Sequence, residues 1–128
     1  MATIRIERRC RGPRETANAG YVAGLVAAAL GGSNCVVTLK SPPPLDRDLV
    51  LKTDNNGASL FDDDRTVVSA SREQVDIDVP APPTLADARG AEPRFAGLVN
   101  HIFPGCFVCG PERGSGDGMG IFPGPLNH

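Results

Sequence analysis

Ala17-Asn18-Ala19-Gly20-Tyr21-Val22-Ala23-Gly24-Leu25-Val26-Ala27-Ala28-Ala29-Leu30 is the stretch that decides how this 128-residue chain folds. It carries no charge, and its apolar positions run all round a helical wheel instead of forming one stripe, so a helix built from it has no wet face. Fourteen residues make a helix of about 21 Å, against the roughly 30 Å of hydrocarbon that a spanning helix must cross. The rod is too short for a membrane, so the protein itself is expected to wrap it. Outward from the rod, Gly31-Gly32 supplies the left-handed residue that ends a helix. Thr16 or Asn18 can cap its first free amides, and Pro13 fits just ahead of the start.

The segments on either side read as strands. Upstream, Thr3-Ile4-Arg5-Ile6-Glu7 alternates, with Ile4 and Ile6 on one face. Downstream, Cys35–Lys40, Leu49–Thr53, Ala58–Phe61, Arg65–Ser71 and Val75–Val79 are separated by Ser41-Pro42-Pro43-Pro44, by Asp54-Asn55-Asn56-Gly57 with its hairpin-forming Asn-Gly step, and by Asp62-Asp63-Asp64. In Val75–Val79 the apolar residues are expected to face inward and Asp76 and Asp78 to face water. Short turns make successive strands antiparallel. The expected class is α+β, an antiparallel sheet wrapped around one central apolar helix, occupying residues 1–79.

After Val79 the composition shifts, with eight of the twelve prolines and nine of the fifteen glycines lying beyond it. Residues 80–128 read as a Pro/Gly-rich extension: a linker at Pro80–Pro83, a short helix capped by Thr84 and running to about Arg89, then a loop-rich or partly disordered remainder.

Thirteen Lys and Arg against fifteen Asp and Glu leave a formal charge of -2, and there is no Trp and a single Tyr. The only basic cluster is Arg8, Arg9, Arg11 and Arg14, so nucleic acid is an unexpected partner. A signal peptide would need a cleaner approach than the alternating, Glu15- and Asn18-interrupted segment before the apolar run. Four scattered cysteines do not make a disulfide scaffold, and a reducing cytoplasmic setting is expected.

Cys106-Phe107-Val108-Cys109 invites a zinc reading, but a structural site wants four ligands, and His101, Cys10 or Cys35 would have to be recruited. A redox pair would need a helix start, which Gly110-Pro111 opposes. Unligated turn cysteines are the expected reading, with no metal and no cofactor. The alternating glycines from 114 to 120 lack the strand, helix and lysine of a nucleotide loop. Asp62-Asp63-Asp64 reads as a wet turn, and His101 as a loop residue.

The segment Gly12-Pro13 through Leu30, with Asn18, Gly20 and Tyr21, resembles the opening of actinobacterial hot-dog proteins of the acyl-CoA thioesterase type. Cys106 to Pro125 (CFVCGPERGSGDGMGIFPGP) looks like the lead-in of a second hot-dog unit of tandem relatives. The resemblance implies a shortened relative or a fragment. It implies a hydrolase of acyl-CoA thioesters that works as a homodimer or higher homo-oligomer, away from membranes. It further implies that amides near Gly20 and Tyr21 polarise the thioester carbonyl while Asn18 or Glu15 holds the attacking water. The alternative is an inactive acyl or CoA-binding or assembly module. Where relatives read Asn-Gly-Gly-Tyr, this chain has Asn18-Ala19-Gly20-Tyr21, which narrows the corner by a methyl group. Physically, Asn18 also suits a helix cap, Glu15 a solvated first-turn charge and Tyr21 a core aromatic.

Overall fold

A computed structural model describes residues 1–32 and 34–127. Ser33 and His128 lie outside the described residues, so the extension expected over 80–128 is described as far as Asn127. The fold is α+β. Five strands, β1 (Ala2–Arg5), β2 (Cys35–Leu39), β3 (Asp48–Thr53), β4 (Gly57–Asp62) and β5 (Arg65–Arg72), form one antiparallel sheet in the order β1-β3-β4-β5-β2. Helix α1 (Ala19–Ala28) connects β1 to β2, and α2 (Leu85–Ala91) follows the sheet.

The turns form where the local chemistry demands them. Asp54 Oδ1 accepts from the backbone N–H of Asn56 at 2.7 Å and of Gly57 at 3.0 Å, an Asx turn that sets the β3–β4 register with Leu51 opposite Leu60. Helix α1 is capped by Asn18, whose Oδ1 accepts from the Tyr21 amide at 3.0 Å, and it ends at Gly31 and Gly32, both at positive φ. Thr84 caps α2 in the same way through the Asp87 amide.

The core lies between α1 and the sheet. Ile6, Val22, Val26, Leu49, Leu60, Val67 and Val68 are fully buried, with Leu30, Leu51 and Ala58 around them. Burial of side chains this size contributes about 1.5–3 kcal/mol each, and the removal of apolar surface from water is the main force holding the helix down.

Three expectations are corrected. First, the sheet does not enclose α1. Val22 and Val26 face it, whereas Ala19, Gly20, Gly24, Ala28 and Ala29 are exposed. The outer face consists of Gly and Ala, and leaving it wet costs little because it carries little apolar area. Second, Val75–Val79 is not a strand. Residues 73 to 84 have no regular structure, and Ile77 is 71% exposed. Both neighbours of β5 are already taken by β4 and β2. A strand beyond β2 would run parallel to β5 and need a crossover of a dozen residues or more, which Glu73-Gln74 cannot supply.

Third, Asp62 is not part of a wet turn. Along β4 the residues Ala58, Leu60 and Asp62 alternate onto the buried face, and Asp62 is 8% exposed at its rim. Arg65 binds its Oδ2 at 3.2 Å, and Arg47 stands 3.0 Å from its Oδ1 without hydrogen-bond alignment. Asp63, at φ 51°, and Asp64 make the turn itself.

Beyond α2 the chain runs through 3-10 turns at Glu92–Arg94 and Ala96–Leu98 and then through turns and loops to residue 127, in keeping with the loop-rich expectation. The composition shift after residue 79 falls inside the irregular stretch that leads to α2. No helix among the described residues is long and apolar enough to cross a membrane.

Candidate functional site

The amino end of α1 is where the two halves of the chain meet. After β1 the backbone buries Ile6, makes a 3-10 turn at Arg8–Cys10 and doubles back, with Gly12 N–H on the Thr16 carbonyl and Asn18 N–H on the Cys10 carbonyl at 2.8 Å. Ala17 N–H reaches the Pro43 carbonyl at 2.9 Å, which ties this corner to the loop before β3. From the far end of the sequence, Phe107 N–H donates to the Arg11 carbonyl at 2.8 Å. The Phe107 ring packs edge-on against Tyr21 at 5.6 Å, with the guanidinium groups of Arg9 and Arg113 over it at 5.7 and 5.5 Å. Asp117 pairs with both arginines, at 3.4 and 3.2 Å. Arg113, its side chain only 6% exposed, also donates through Nε to the Gly105 carbonyl.

Between these segments opens a pocket of about 640 Å³ lined by Arg8, Arg11, Arg14, Glu15, Phe103 and Glu112 among others. Arg8 is occupied, bound to Asp46 at 3.3 Å and Glu15 at 3.5 Å. Arg14 lies 3.7 Å from Glu15. Arg11 donates to the Arg8 carbonyl and, among the described residues, has no carboxylate partner. A half-buried guanidinium of this kind is available to an anion. Ile102, Phe103 and Pro104 give the same pocket an apolar wall.

The residues singled out from sequence gather at this corner. Glu15 lies on the pocket, its side chain 70% exposed and paired with two arginines. Asn18 sits behind Gly12 with both ends of its amide engaged: Oδ1 on the Tyr21 amide, Nδ2 on Cys106 Sγ at 3.5 Å. The Tyr21 amide is therefore occupied by the cap. At the first two helical positions Ala19 and Gly20 have no intrahelical partner for their N–H groups, and Gly20 is exposed. Tyr21's hydroxyl is hydrogen-bonded to the Cys10 thiol; that bond first, and burial second, hold it above the ordinary tyrosine range.

Sequence reasoning missed the thiol cluster that faces Asn18. Burial pushes the Cys106 thiol up, but the backbone amides of Cys109 and Val108, the Cys109 thiol and the Asn18 amide all donate to it and bring it below its ordinary value. Cys109, half-buried beside it, is raised by burial and by the hydrogen bond it gives to Cys106. His101 Nδ1 accepts from the Phe103 amide at 2.8 Å, so the ring proton is on Nε2, 3.2 Å from Cys109 Sγ. The spacing of Cys106 and Cys109 was visible; the convergence of Asn18 on them, 88 residues away, had no local signal.

No family model, curated protein or solved structure matches this chain. The assignment of function rests on the corner itself.

Proposed function

We propose that the chain is a hot-dog-type acyl-CoA thioester hydrolase, with its site at the amino end of α1. The observation that carries the reading is the pocket in which Arg11, which has no carboxylate partner among the described residues, an apolar wall and the carboxylate of Glu15 come together, a few residues ahead of the amino end of α1. Arg11 and Arg14 suit the phosphates of a CoA carrier, because guanidinium groups bind phosphate in a planar, bidentate fashion. The Phe103 wall suits the pantetheine arm or acyl chain. Helix-end amides, aided by the dipole, stabilise the oxyanion that forms when water adds to the thioester carbonyl. Glu15 takes the proton of that water, and the thiolate of CoA leaves. The β-α-β4 order of the sheet and helix is compatible with this family. Its free edges at β1 and β2 favour association of two copies.

A second reading, an acyl or CoA-binding module without turnover, is favoured by one observation. Asn18 is fully engaged by the Tyr21 amide and Cys106, and Glu15 by two arginines, so neither is free to hold water. A thiol-release assay over a panel of acyl-CoA chain lengths separates the two. Release above background at one or more lengths is expected; no release at any length overturns hydrolysis, and saturable CoA binding without release establishes the second reading.

A further inference from the structure

Three sulfur-bearing side chains surround the Asn18 corner, and two of them, Cys106 and Cys109, take no part in the thioester chemistry above. Their environment is organised. Asn18 Nδ2 donates to Cys106 Sγ at 3.5 Å, and the neighbouring groups of Val108 and Cys109 also favour its charged form. Cys109 Sγ in turn faces His101 Nε2, whose proton is fixed there because Nδ1 accepts from Phe103 N–H. The result is one directed chain, His101 N–H to Cys109 S–H to Cys106 S, ending on a sulfur surrounded by donors. Donors of this number around one sulfur favour the thiolate, which is the nucleophilic form.

In this tautomer the site does not present three metal ligands. His101 presents a protonated nitrogen, not a lone pair, toward the thiols. Among the described residues no group of three or more His, Cys, Asp and Glu side chains is arranged to hold a metal ion.

We propose that Cys106 and Cys109 are a redox-active dithiol, in which Cys106 attacks a small hydroperoxide and Cys109 resolves the product into an intramolecular disulfide. Burial sets the substrate class: Cys106 is 5% exposed, so the oxidant is the smallest of its kind, hydrogen peroxide, and not a bulky electrophile. In the first step the Cys106 thiolate attacks one peroxide oxygen. An S–O bond forms, the O–O bond breaks, hydroxide leaves, and the sulfur is oxidised to a sulfenic acid as the peroxide is reduced. In the second, the Cys109 sulfur attacks Cys106 Sγ. The S–S bond forms, the S–O bond breaks, and the departing hydroxide takes the Cys109 proton as water. One dithiol and one hydrogen peroxide thus yield one disulfide and two water molecules. The turn that carries the pair holds it close without a helix: Gly110 N–H bonds to the Cys106 carbonyl at 2.9 Å, and a Cβ at residue 110 would collide with the Cys106 backbone and the Pro104 carbonyl. This inference stands apart from the thioester reading and survives its failure.

The test uses the full reduced chain, freed of reductant without oxygen and treated with equimolar hydrogen peroxide. The chain is then denatured and alkylated with N-ethylmaleimide, and the peptide spanning residues 95–113 is weighed. The expected result is an unalkylated peptide lighter by two hydrogens, with Cys10 and Cys35 alkylated, and with Cys106 reacting about tenfold faster than either of them. In Cys109→Ser the expected product is a Cys106 sulfenic acid trapped by dimedone; in Cys106→Ser, Cys109 stays alkylatable. Circular dichroism checks that each variant is folded, and the wild-type measurement decides even where a variant is not. Four alkylatable thiols after peroxide, preferential oxidation of Cys10 or Cys35, or stoichiometric zinc in the purified protein would each overturn the proposal.

Discussion

Residues 2–72 and residues 73–127 are built on different physics. The first region is held by a contiguous apolar cluster in which seven large side chains are fully buried. In the second region the only buried hydrophobic side chains are Ala91 and Cys106, while Val79, Leu85, Val99 and Ile102 are among its exposed ones. What holds the second region is specific contact: Phe107 between Arg9, Arg113 and Tyr21, Asp117 between two arginines, backbone bonds from Phe107 to Arg11 and from Met119 to Phe107, and glycines where backbones approach. The lesson is that the sheet and helix provide stability, and the extension, docked onto the helix end, adds the thiol pair and one wall of the pocket.

The most damaging change should therefore fall in the first region. Leu60 is fully buried on the central strand, and Leu60→Ala is expected to cost about 2–5 kcal/mol, from lost transfer energy plus a cavity. The urea unfolding midpoint measures it. A loss under about 1 kcal/mol would mean that the core is not where the stability resides.

Gly110→Ala probes the second region. The methyl group has no room, so the thiol turn must shift, with a cost of about 1–3 kcal/mol that is concentrated in that turn. The expected signature is a large rise in alkylation of Cys106 in the native state with a smaller change in the urea midpoint than Leu60→Ala gives. Equal midpoint shifts for both variants would erase the distinction between the regions.

Arg11→Ala tests whether the docked extension and the first region together make a ligand site. Loss of a charge-assisted contact of about 1.5 kcal/mol raises the Kd for CoA roughly tenfold. Isothermal titration with CoA and with desphospho-CoA shows whether the contact is to phosphate: the variant should lose the difference between the two ligands. Asn18→Ala follows, with a loss of about 1 kcal/mol from the cap, read as a shift of the urea midpoint.

The legibility of the two regions follows the same division. The α1 rod, its Asn18 cap, its Gly31-Gly32 stop and the strands at 2–72 were readable because each follows from a local pattern: apolar spacing, a capping side chain, an Asn-Gly turn. Two errors in that region came from reading locally what is decided globally. Asp62 was assigned to a turn because an acid next to two others looks wet, although strand alternation carries it onto the buried face. The full wrapping of α1 was inferred from its composition, although Gly and Ala tolerate water. The corner around Asn18 was named, but its thiol partners in the second region were not joined to it. The Asn18–Cys106 contact spans 88 residues, and no periodicity announces a contact of that range.

Val75–Val79 marks the border between the two kinds of reading, and Ile77→Ser is the change with the smallest expected effect. Alternation alone makes this segment a strand, yet both neighbours of β5 are filled and the link after it is two residues long, so topology overrules pattern. With Ile77 at 71% exposure, the substitution should shift the unfolding midpoint by no more than about 0.5 kcal/mol. The amides of residues 75–79 should exchange with solvent as fast as those of an open chain, since no ladder protects them. Protection of alternate amides, together with a larger loss in Ile77→Ser, would show that the segment adds to a free edge, β1 or β2, of a second copy. In that case the pattern was correct and its partner strand belongs to another chain.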